Sequence, residues 1–571
     1  MIAFLLAAAV AAPPDLTTEA EKSGWVRTGR YAEVERLCPA FEKAFPGKVR
    51  CTRFGTTPEG RPMLALVASA DGAFDPKASR AKGRTVVLAQ GGIHAGEIDG
   101  KDAGFAVLRD VLNGKTGAGV LSRITFVFVP VFNVDGHERF GPNHRPNQRG
   151  PEAMGWRTTA QNLNLNRDYA KAEAPEMHAM LALLNAWDPE LYVDLHVTDG
   201  AKFRHDVAIL VDPAEEPRHP LREPARKLRH EIASRLEALG HRPLEFYPAF
   251  EKDDDPASGF AVGVAPPRLS TPYWAARGRM ALLVETHSWH RYAERVDATR
   301  HVLEATLELA ARDGTSWRAA IDAPDSSAEL GIAWAHDDPV ATIEFLGYAY
   351  ARRPSAISGG MTVDYDETKP ETWRIPLRTG VKAARTARLP KAGWIVPPAW
   401  APLVRDKLAA HGFRTETIGA ARTSVTVEVW RAASTTFAVA PYEGRRRVEA
   451  EGSWTGGTRD VAPGSLFVPA AQPGARLLVQ LLEPEAPDSL VSWGYFDAIF
   501  ERKEYMESYV TEEVAAAMLR DDPAVRAEFE RRLSDPKFAA DPNARLEFFH
   551  RRHASWDDRK DVYPVVKVDA F

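Results

Sequence analysis

The sequence predicts an α/β fold for the first part of its 571 residues. Short apolar runs of strand length alternate there with longer segments whose apolar positions recur at helical spacing. This alternation indicates a sheet covered by helices on both faces. From about Gly331 helical spacing becomes rare, and short apolar segments lie between glycines and prolines until a helical stretch near the end. We therefore predict an α/β unit over 25–325 and a β-rich accessory region with a helical tail over 331–571.

The length supports this division, because a chain of 571 residues exceeds a single average domain. The composition, 44% hydrophobic and 26% charged, is that of an ordinary globular protein with a large core. A net charge of −5 gives no indication of a nucleic-acid partner or of an anionic membrane surface. Beyond the N-terminus, no stretch of the sequence has the length and apolarity of a transmembrane helix.

The N-terminus begins with a short apolar run that ends in small residues. Ala9-Val10-Ala11 has the small-x-small form of a cleavage site, so we predict a signal peptide over 1–11 and a secreted or periplasmic protein. No basic residues precede the run, which leaves open an atypical signal, a misplaced start or a buried N-terminal segment. The chain has two cysteines, Cys38 and Cys51. In an exported protein they could join a helix to the following strand, and two free buried thiols are the alternative.

The elements of the α/β unit are predicted from the spacing of apolar residues. Helices are predicted over 31–45, 101–112, 174–187, 221–239 and 292–312. Strands are predicted at the apolar runs 49–54, 63–68, 85–90, 124–131, 191–195, 207–211 and 280–284. The polar stretch 136–164 is a long loop, and loops of that length inside a compact domain usually carry function.

The accessory region is predicted from shorter segments. Strands are predicted at 340–345, 424–430, 436–440, 465–468 and 476–482, between turns rich in glycine and proline. A helix is predicted within 400–413, and mostly helical structure over 495–533. No set of ligand or nucleophile side chains stands out in this region, so the sequence leaves its role open.

Three of the predicted strands lead into polar residues of one chemical set. Two glycines end the strand over 85–90, and His94 and Glu97 follow them. Two later strands run directly into His196 and Glu285. Ligands in open α/β sheets bind at the carboxyl ends of the strands, so these four side chains are expected to converge. A single histidine or glutamate of this kind is usually structural, but four at matching strand ends favour a functional site.

These residue types point to a catalytic zinc centre. Such a centre needs three protein ligands, an open position for water, and a base that takes the proton of the water. We predict one Zn²⁺ per chain held by His94, Glu97 and His196. Glu285, which has no lysine or arginine beside it in the sequence, is the predicted general base.

The long loop and the residues after it supply two arginines. Arg167 follows Asn166, and an arginine beside an amide can hold a carboxylate through two parallel hydrogen bonds. Arg157, in Gly155-Trp156-Arg157, is suited to polarising a carbonyl and stabilising its oxyanion. For either arginine alone, an ordinary surface salt bridge is the alternative.

Five separated motifs together resemble the M14 (carboxypeptidase A-like) zinc metallocarboxypeptidase family, over about residues 25–320. In the order of the family, they are His94-x-x-Glu97, Gly155-Trp156-Arg157, Asn166-Arg167, Asp194-Leu195-His196 and Leu283-Val284-Glu285-Thr286-His287. The resemblance implies a mixed, mostly parallel eight-stranded sheet between helices. It also implies a zinc-dependent exopeptidase that acts on peptides with a free C-terminal carboxylate.

The resemblance assigns a role to each matching residue. His94, Glu97 and His196 resemble the zinc ligands, and Glu285 resembles the general base. Arg157 resembles the residue that stabilises the oxyanion of the transition state. Asn166 and Arg167 resemble the pair that binds the C-terminal carboxylate of the substrate.

Two positions depart from the pattern of the family. The family often has an aspartate two positions before the Asn-Arg pair, where this chain has Asn164, whose amide oxygen can accept the imidazole N–H without charge. The tyrosine that covers the substrate in the family has no clear counterpart. We predict Tyr273 for that role, with Tyr247 as the alternative and an ordinary packing tyrosine as the third possibility.

Two other functions stay open at the level of sequence. Deacylases that act on N-acyl amino acids share the metal ligands, the Asn-Arg pair and the base, so a zinc-dependent deacylase is the first alternative. A non-catalytic binding protein is the second, and the presence of every ligand and of the base argues against it. The Trp156-Arg157 element and the predicted signal peptide favour a peptidase.

Overall fold

The computed structural model describes residues 14–325 and 327–571. The predicted signal peptide, residues 1–11, lies outside the described residues. Nine strands precede residue 290 in the described chain. They are β1 (Val49–Thr56), β2 (Pro62–Ala68), β3 (Thr85–Gly91), β4 (Ile124–Val129), β5 (Leu191–Thr198), β6 (Val207–Asp212), β7 (Pro243–Leu244), β8 (Phe260–Ala261) and β9 (Met280–His287).

All of these strands except β8 form one sheet, in the order β1-β2-β4-β3-β5-β9-β6-β7. The pairs β4-β3, β3-β5, β5-β9 and β6-β7 are parallel. The pairs β1-β2, β2-β4 and β9-β6 are antiparallel. This confirms the predicted mixed, mostly parallel sheet of eight strands.

Helices cover the sheet on both faces. They are α1 (Glu19–Lys22), α2 (Tyr31–Ala44), α3 (Pro76–Ala81), α4 (Asp99–Leu112), α5 (Val134–Glu138), α6 (Pro175–Trp187), α7 (Arg222–Ala238), α8 (Ser270–Ala276) and α9 (Tyr292–Ile321). Helices α4 and α7 both pack against α9. The five long helices predicted from apolar spacing are therefore present, with ends shifted by a few residues and with α9 longer than predicted.

The central strands β3, β4 and β5 are apolar because both of their faces are covered, and every residue in them is buried. Gly100, at the start of α4, lies against Leu195 on one face of β5. Trp274 of α8 packs edge-on against Tyr192 on the other face. A Cβ atom at position 100 would collide with Leu195, so this glycine lets α4 approach the strand closely.

The C-terminal half is rich in strands, as predicted. Strands β10 (Glu329–Pro354) and β11 (Met361–Arg388) form a long antiparallel ribbon, and β11 pairs in parallel with β8. The remaining strands form a six-stranded sheet in the order β13-β16-β12-β17-β14-β15. They are β12 (Gly393–Val396), β13 (Glu416–Thr417), β14 (Arg422–Phe437), β15 (Val448–Val461), β16 (Leu466–Pro469) and β17 (Val566–Val568).

Six helices accompany these strands. They are α10 (Ala401–Ala410), α11 (Ala475–Leu482), α12 (Ser508–Asp521), α13 (Pro523–Leu533), α14 (Pro536–Ala539) and α15 (Pro542–His550). Helix α10 and the helical tail agree with the predictions, but the strand predicted at 476–482 is wrong, because this segment is α11. A short apolar run fits a strand or a buried helix equally well, and here Leu477, Leu478, Leu481 and Leu482 are all buried at helical spacing. Of the strand predicted over 436–440, residues 436–437 are the end of β14 and residues 438–440 lie outside any strand.

In the described part of the chain, no helix combines the length and apolarity needed to cross a bilayer. Cys38 of α2 and Cys51 of β1 form a disulfide that joins the helix to the following strand. Of the two hypotheses drawn from the sequence, the disulfide is therefore correct and the pair of free thiols is not.

We expect reduction of this disulfide to lower the free energy of unfolding by about 3 kcal/mol, because the bond closes a short loop and restricts the unfolded chain. The measurement is chemical denaturation with and without reductant. The Cys38→Ala/Cys51→Ala variant is the control, and its unfolding should not respond to reductant. Equal stability of the oxidised and reduced wild-type protein would contradict the prediction.

Candidate active site

The three predicted metal ligands converge at the carboxyl edge of the sheet. His94 and Glu97 lie in the loop between β3 and α4, and His196 lies in β5. One ligand atom of each lies within 4.8 Å of the others. Glu97 Oε1 is 3.0 Å from His94 Nδ1, and Glu97 Oε2 is 2.9 Å from His196 Nδ1. All three side chains are buried.

The outer nitrogens of the two imidazoles are held by oxygen acceptors. His94 Nε2 lies 3.1 Å from Asn164 Oδ1, and His196 Nε2 lies 2.8 Å from Asp194 Oδ2. When Nε2–H of each ring donates to its oxygen acceptor, Nδ1 of each ring is unprotonated and its lone pair faces Glu97. Two imidazole nitrogens and a carboxylate with this support fit the donor set of a zinc ion. Asn164 accepts the imidazole hydrogen bond as its position in the sequence predicted.

Asp194 is a supporting residue to which the sequence analysis gave no role. Its carboxylate is fully buried and accepts hydrogen bonds from Gln90 Nε2, at 3.0 Å, and from the Ser270 hydroxyl. Burial alone would raise the pKa of Asp194, but the His196 ring and these hydrogen bonds outweigh it, so the pKa lies below its ordinary value. The sequence signal that could have identified Asp194 is its position two residues before His196, because residues two apart on a strand point to the same face of the sheet.

Glu285 reaches the same site through the register of two parallel strands. In the β5-β9 pair, Glu285 lies directly opposite His196. Its carboxylate is buried, and its Oε2 has no hydrogen-bond partner among the described residues. Burial, together with the nearby carboxylates of Glu97 and Asp194, raises the pKa of Glu285 above its ordinary value, and a cation at the ligand site acts in the opposite direction. The structure thus brings all four strand-end residues together.

A family model described as zinc carboxypeptidase matches residues 34–238 of this chain. The matched segment contains His94, Glu97 and His196 and ends before Glu285, which the sheet places beside them. The protein is accordingly a metallopeptidase, a hydrolase whose cofactor is zinc.

Solved structures with a similar fold include three carboxypeptidases. Carboxypeptidase A from Helicoverpa armigera is 17% identical, covering 52% of this chain and 74% of its own, with a TM-score of 0.36. The metallo-carboxypeptidase from Burkholderia cenocepacia is 17% identical, covering 49% and 69%, with a TM-score of 0.36. The metallo-carboxypeptidase from Pseudomonas aeruginosa, solved with (2-guanidinoethylmercapto)succinic acid, is 14% identical, covering 49% and 68%, with a TM-score of 0.36.

A search of curated proteins finds no match to the sequence.

Two arginines contact Glu97, one of the predicted metal ligands. Arg145 Nη2 lies 3.0 Å from Glu97 Oε1, and Arg157 Nη1 lies 3.4 Å from the same oxygen. The side chain of Arg145 is 9% exposed and that of Arg157 is 38% exposed, and both line the cavity in front of the predicted ligands. Arg157 therefore lies at the cavity beside Glu97, and its role at an oxyanion stays a prediction. Arg145 was not predicted, since its polar loop gives no pattern that singles it out.

The cavity in front of the ligands has a volume of about 540 Å³. Asn166 and Arg167 both line it. Asn166 Oδ1 accepts a hydrogen bond from the Ser270 backbone at 2.9 Å, and its Nδ2 lies 3.5 Å from His196 Nε2. Arg167 Nη1 donates to the Asn166 carbonyl at 2.7 Å. No Asp or Glu oxygen of the described chain lies within 4.0 Å of the Arg167 guanidinium, which is therefore available to a substrate carboxylate.

The predicted role of Tyr273 needs correction. Tyr273 is fully buried in α8, and its hydroxyl pairs with His411 Nδ1 at 3.0 Å, so it does not reach the cavity. Tyr247, the alternative, lines the cavity and is 39% exposed. The nearby Glu285 carboxylate and burial raise the pKa of Tyr247. Spacing in the sequence did not separate the two tyrosines, because Tyr247 lies in a long irregular segment.

The C-terminal half contributes part of the cavity wall, which the sequence analysis did not predict. Trp334 and His336 of β10 and Val381 of β11 line it. The ribbon is fixed there by its pairing with β8 and by a hydrogen bond of 3.1 Å between His336 Nδ1 and the Val262 carbonyl. A second contact comes from Glu443, whose carboxylate accepts the backbone N–H of Asn164 at 2.9 Å.

Proposed function

We propose that this metallopeptidase removes the C-terminal residue of peptides. The observation that carries this proposal is Arg167, a cavity-lining guanidinium without a carboxylate partner in the described chain, close to the metal ligands. An arginine in this position would fix the end of a peptide by two hydrogen bonds to its free carboxylate. Asn166 lies beside it, with its amide oriented by Ser270.

The proposed mechanism assigns the proton transfers to Glu285. When bound by His94, Glu97 and His196, zinc supplies Lewis-acid chemistry that acidifies a water molecule and polarises a carbonyl. Glu285 takes a proton from the attacking water as its oxygen bonds to the scissile carbonyl carbon. Arg157 stabilises the negative charge that develops on the carbonyl oxygen. Glu285 then gives the proton to the amide nitrogen as the C–N bond breaks, so one water yields a carboxylic acid and an amine, which ionise to a carboxylate and an ammonium group.

Tyr247 is proposed to close over the bound peptide. Its ring lies at the cavity with part of its surface exposed. A bound peptide would displace solvent from the cavity and cover the exposed part of the Tyr247 ring.

The test is to incubate the zinc-loaded enzyme with a peptide mixture and identify the released products by mass spectrometry. We expect single C-terminal residues from peptides with a free carboxylate and no release from the same peptides with amidated ends. N-acyl amino acids, added separately, test the deacylase alternative. Internal cleavage of amidated peptides, or hydrolysis of N-acyl amino acids alone, would contradict the proposal.

The wall of the cavity beyond the ligand site indicates a preference for basic C-terminal residues. Leu210 and Leu283 face each other on β6 and β9 and line the cavity, and Asp212 follows on the same face of β6. No Lys, Arg or His nitrogen of the described chain lies within 4.0 Å of the Asp212 carboxylate, whereas Arg229 in this wall is paired with Glu215. An aliphatic stem with a cationic tip would match this surface.

This preference should depend on pH, because burial raises the pKa of Asp212 to about 6. The carboxylate is charged above that pKa and neutral below it. The ratio of kcat/KM for Lys-ended over Leu-ended peptides is therefore expected to fall as pH drops through 6. In Asp212→Asn the ratio should be about tenfold lower at pH 7.5 and independent of pH. A wild-type ratio that does not change between pH 5 and 7.5 would contradict this expectation.

We further propose that the protein is exported and that residues 25–325 are its catalytic domain, with 331–571 as an accessory domain that completes the cavity. The disulfide between Cys38 and Cys51 supports export, because disulfides persist mainly in oxidising compartments. Thiol labelling of protein taken directly from fractionated cells would test it. Full labelling of both cysteines in the unfolded, unreduced protein would contradict export.

A further inference from the structure

A second cluster of metal-ligand side chains lies outside the active-site cavity. His241, Asp297 and His301 each offer one ligand atom, and these atoms lie within 4.8 Å of one another. His241 lies between α7 and β7, and Asp297 and His301 lie one turn apart on α9. None of the three lines the cavity that contains the catalytic ligands.

The orientation of His241 is set by a carboxylate. His241 Nδ1 lies 3.1 Å from Asp206 Oδ2, and the other oxygen of Asp206 accepts the backbone N–H of Arg242 at 2.8 Å. When Nδ1–H donates to Asp206, the lone pair of His241 Nε2 points away from the carboxylate. A histidine held in this way by a carboxylate on its far nitrogen is the usual arrangement at protein metal sites.

The lone pair of His241 points at the second histidine. His241 Nε2 lies 2.8 Å from His301 Nδ1, so the two nitrogens share a single proton. Asp297 Oδ2 lies 3.7 Å from the same His301 nitrogen and adds negative charge there. A metal ion can take the place of the shared proton, after a small separation of the two rings.

The cluster is also open to solvent. The side chains of His241, His301 and Asp297 are 11%, 24% and 51% exposed, so water can complete the coordination of an ion. Arg300 is the cation beside the cluster, 3.8 Å from Asp297, but it is also engaged by Asp110 and Glu304. The Arg300 guanidinium is therefore shared among three carboxylates, and Asp297 is not its sole partner.

We propose that His241, Asp297 and His301 bind a second divalent transition-metal ion, with zinc as the expected occupant. Two imidazoles and one carboxylate suit zinc, nickel and copper more than magnesium or calcium. The ion would join α9 to the segment between α7 and β7. The site is independent of the proposed catalytic function.

The test is the zinc content of the full-length protein, equilibrated with buffered micromolar free zinc and measured by mass spectrometry of the metal. We expect two zinc ions per chain in the wild type and one in His241→Gln and in His301→Gln. His178→Gln, at an exposed histidine of α6, is the matched control and should keep two. Asp297→Asn should weaken the second site at least about tenfold.

Thermal unfolding gives an independent readout. The second equivalent of zinc should raise the Tm of the wild type by about 2–4 °C and leave that of His301→Gln unchanged. Peptidase activity of His301→Gln should equal that of the wild type, which shows that the variant is folded. One zinc per chain in the wild type, or a second zinc retained in both histidine variants, would overturn the proposal. In that case Asp206, His241, His301 and Asp297 form a hydrogen-bonded chain without metal.

Discussion

Replacing Glu285 with Gln is expected to lower kcat by about 1,000-fold while the zinc content stays equal to that of the wild type. The amide has nearly the shape of the carboxyl group, so the packing around position 285 is preserved. It cannot accept a proton from water or return one to the leaving amine. Glu285 lies opposite His196 but belongs to none of the three ligand positions, so metal retention is not expected to depend on it.

Steady-state kinetics on one peptide, together with metal analysis of the same preparation, measure this prediction. Glu308→Gln is a suitable control, because Glu308 is a partly exposed residue of α9 that pairs with Arg235 on the surface. It should keep wild-type kcat. A Glu285→Gln enzyme within tenfold of the wild type would remove Glu285 from the mechanism, and loss of zinc would mean that the variant tests metal binding instead.

The convergence of the four candidate site residues could be predicted from the sequence because these residues combine position and chemistry. His94, Glu97, His196 and Glu285 each follow or end an apolar run, and the carboxyl ends of parallel strands meet at one edge of a sheet. Their residue types then restrict the chemistry to a metal site with a base. The predicted convergence agrees with the structure, in which His94 and Glu97 reach the edge of the sheet from the short loop after β3.

The supporting residues were not predictable in the same way. Arg145 comes from an irregular loop, and the β10–β11 ribbon reaches the cavity only because β11 pairs with β8. Tyr247 and Tyr273 differ in burial, which depends on the packing of α8 against the sheet and not on their distance from Glu285 in the sequence. Asp194 was accessible to sequence reasoning through the two-residue period of a strand. Helix α11 was missed because eight apolar-rich residues do not determine a period.

Replacing Arg167 with Gln is expected to lower kcat/KM for peptides with a free C-terminus by about 100-fold, the cost of two hydrogen bonds to a charged carboxylate. The effect should vanish for a substrate that lacks this charge. The informative quantity is therefore the ratio of kcat/KM for a free peptide over its C-terminal amide. We expect this ratio to be large in the wild type and to approach one in Arg167→Gln.

Arg167→Lys separates charge from geometry. A lysine keeps the positive charge but cannot form the planar pair of hydrogen bonds, so it should restore only part of the ratio. Because Arg167 has no carboxylate partner in the described chain, its removal leaves no buried acidic group unpaired, and a loss of activity reports on the substrate directly. If the ratio for free over amidated peptide is unchanged in Arg167→Gln, the C-terminal carboxylate is bound elsewhere. A guanidinium without a carboxylate partner in the described chain would then no longer distinguish an exopeptidase from other zinc hydrolases with the same ligands and base.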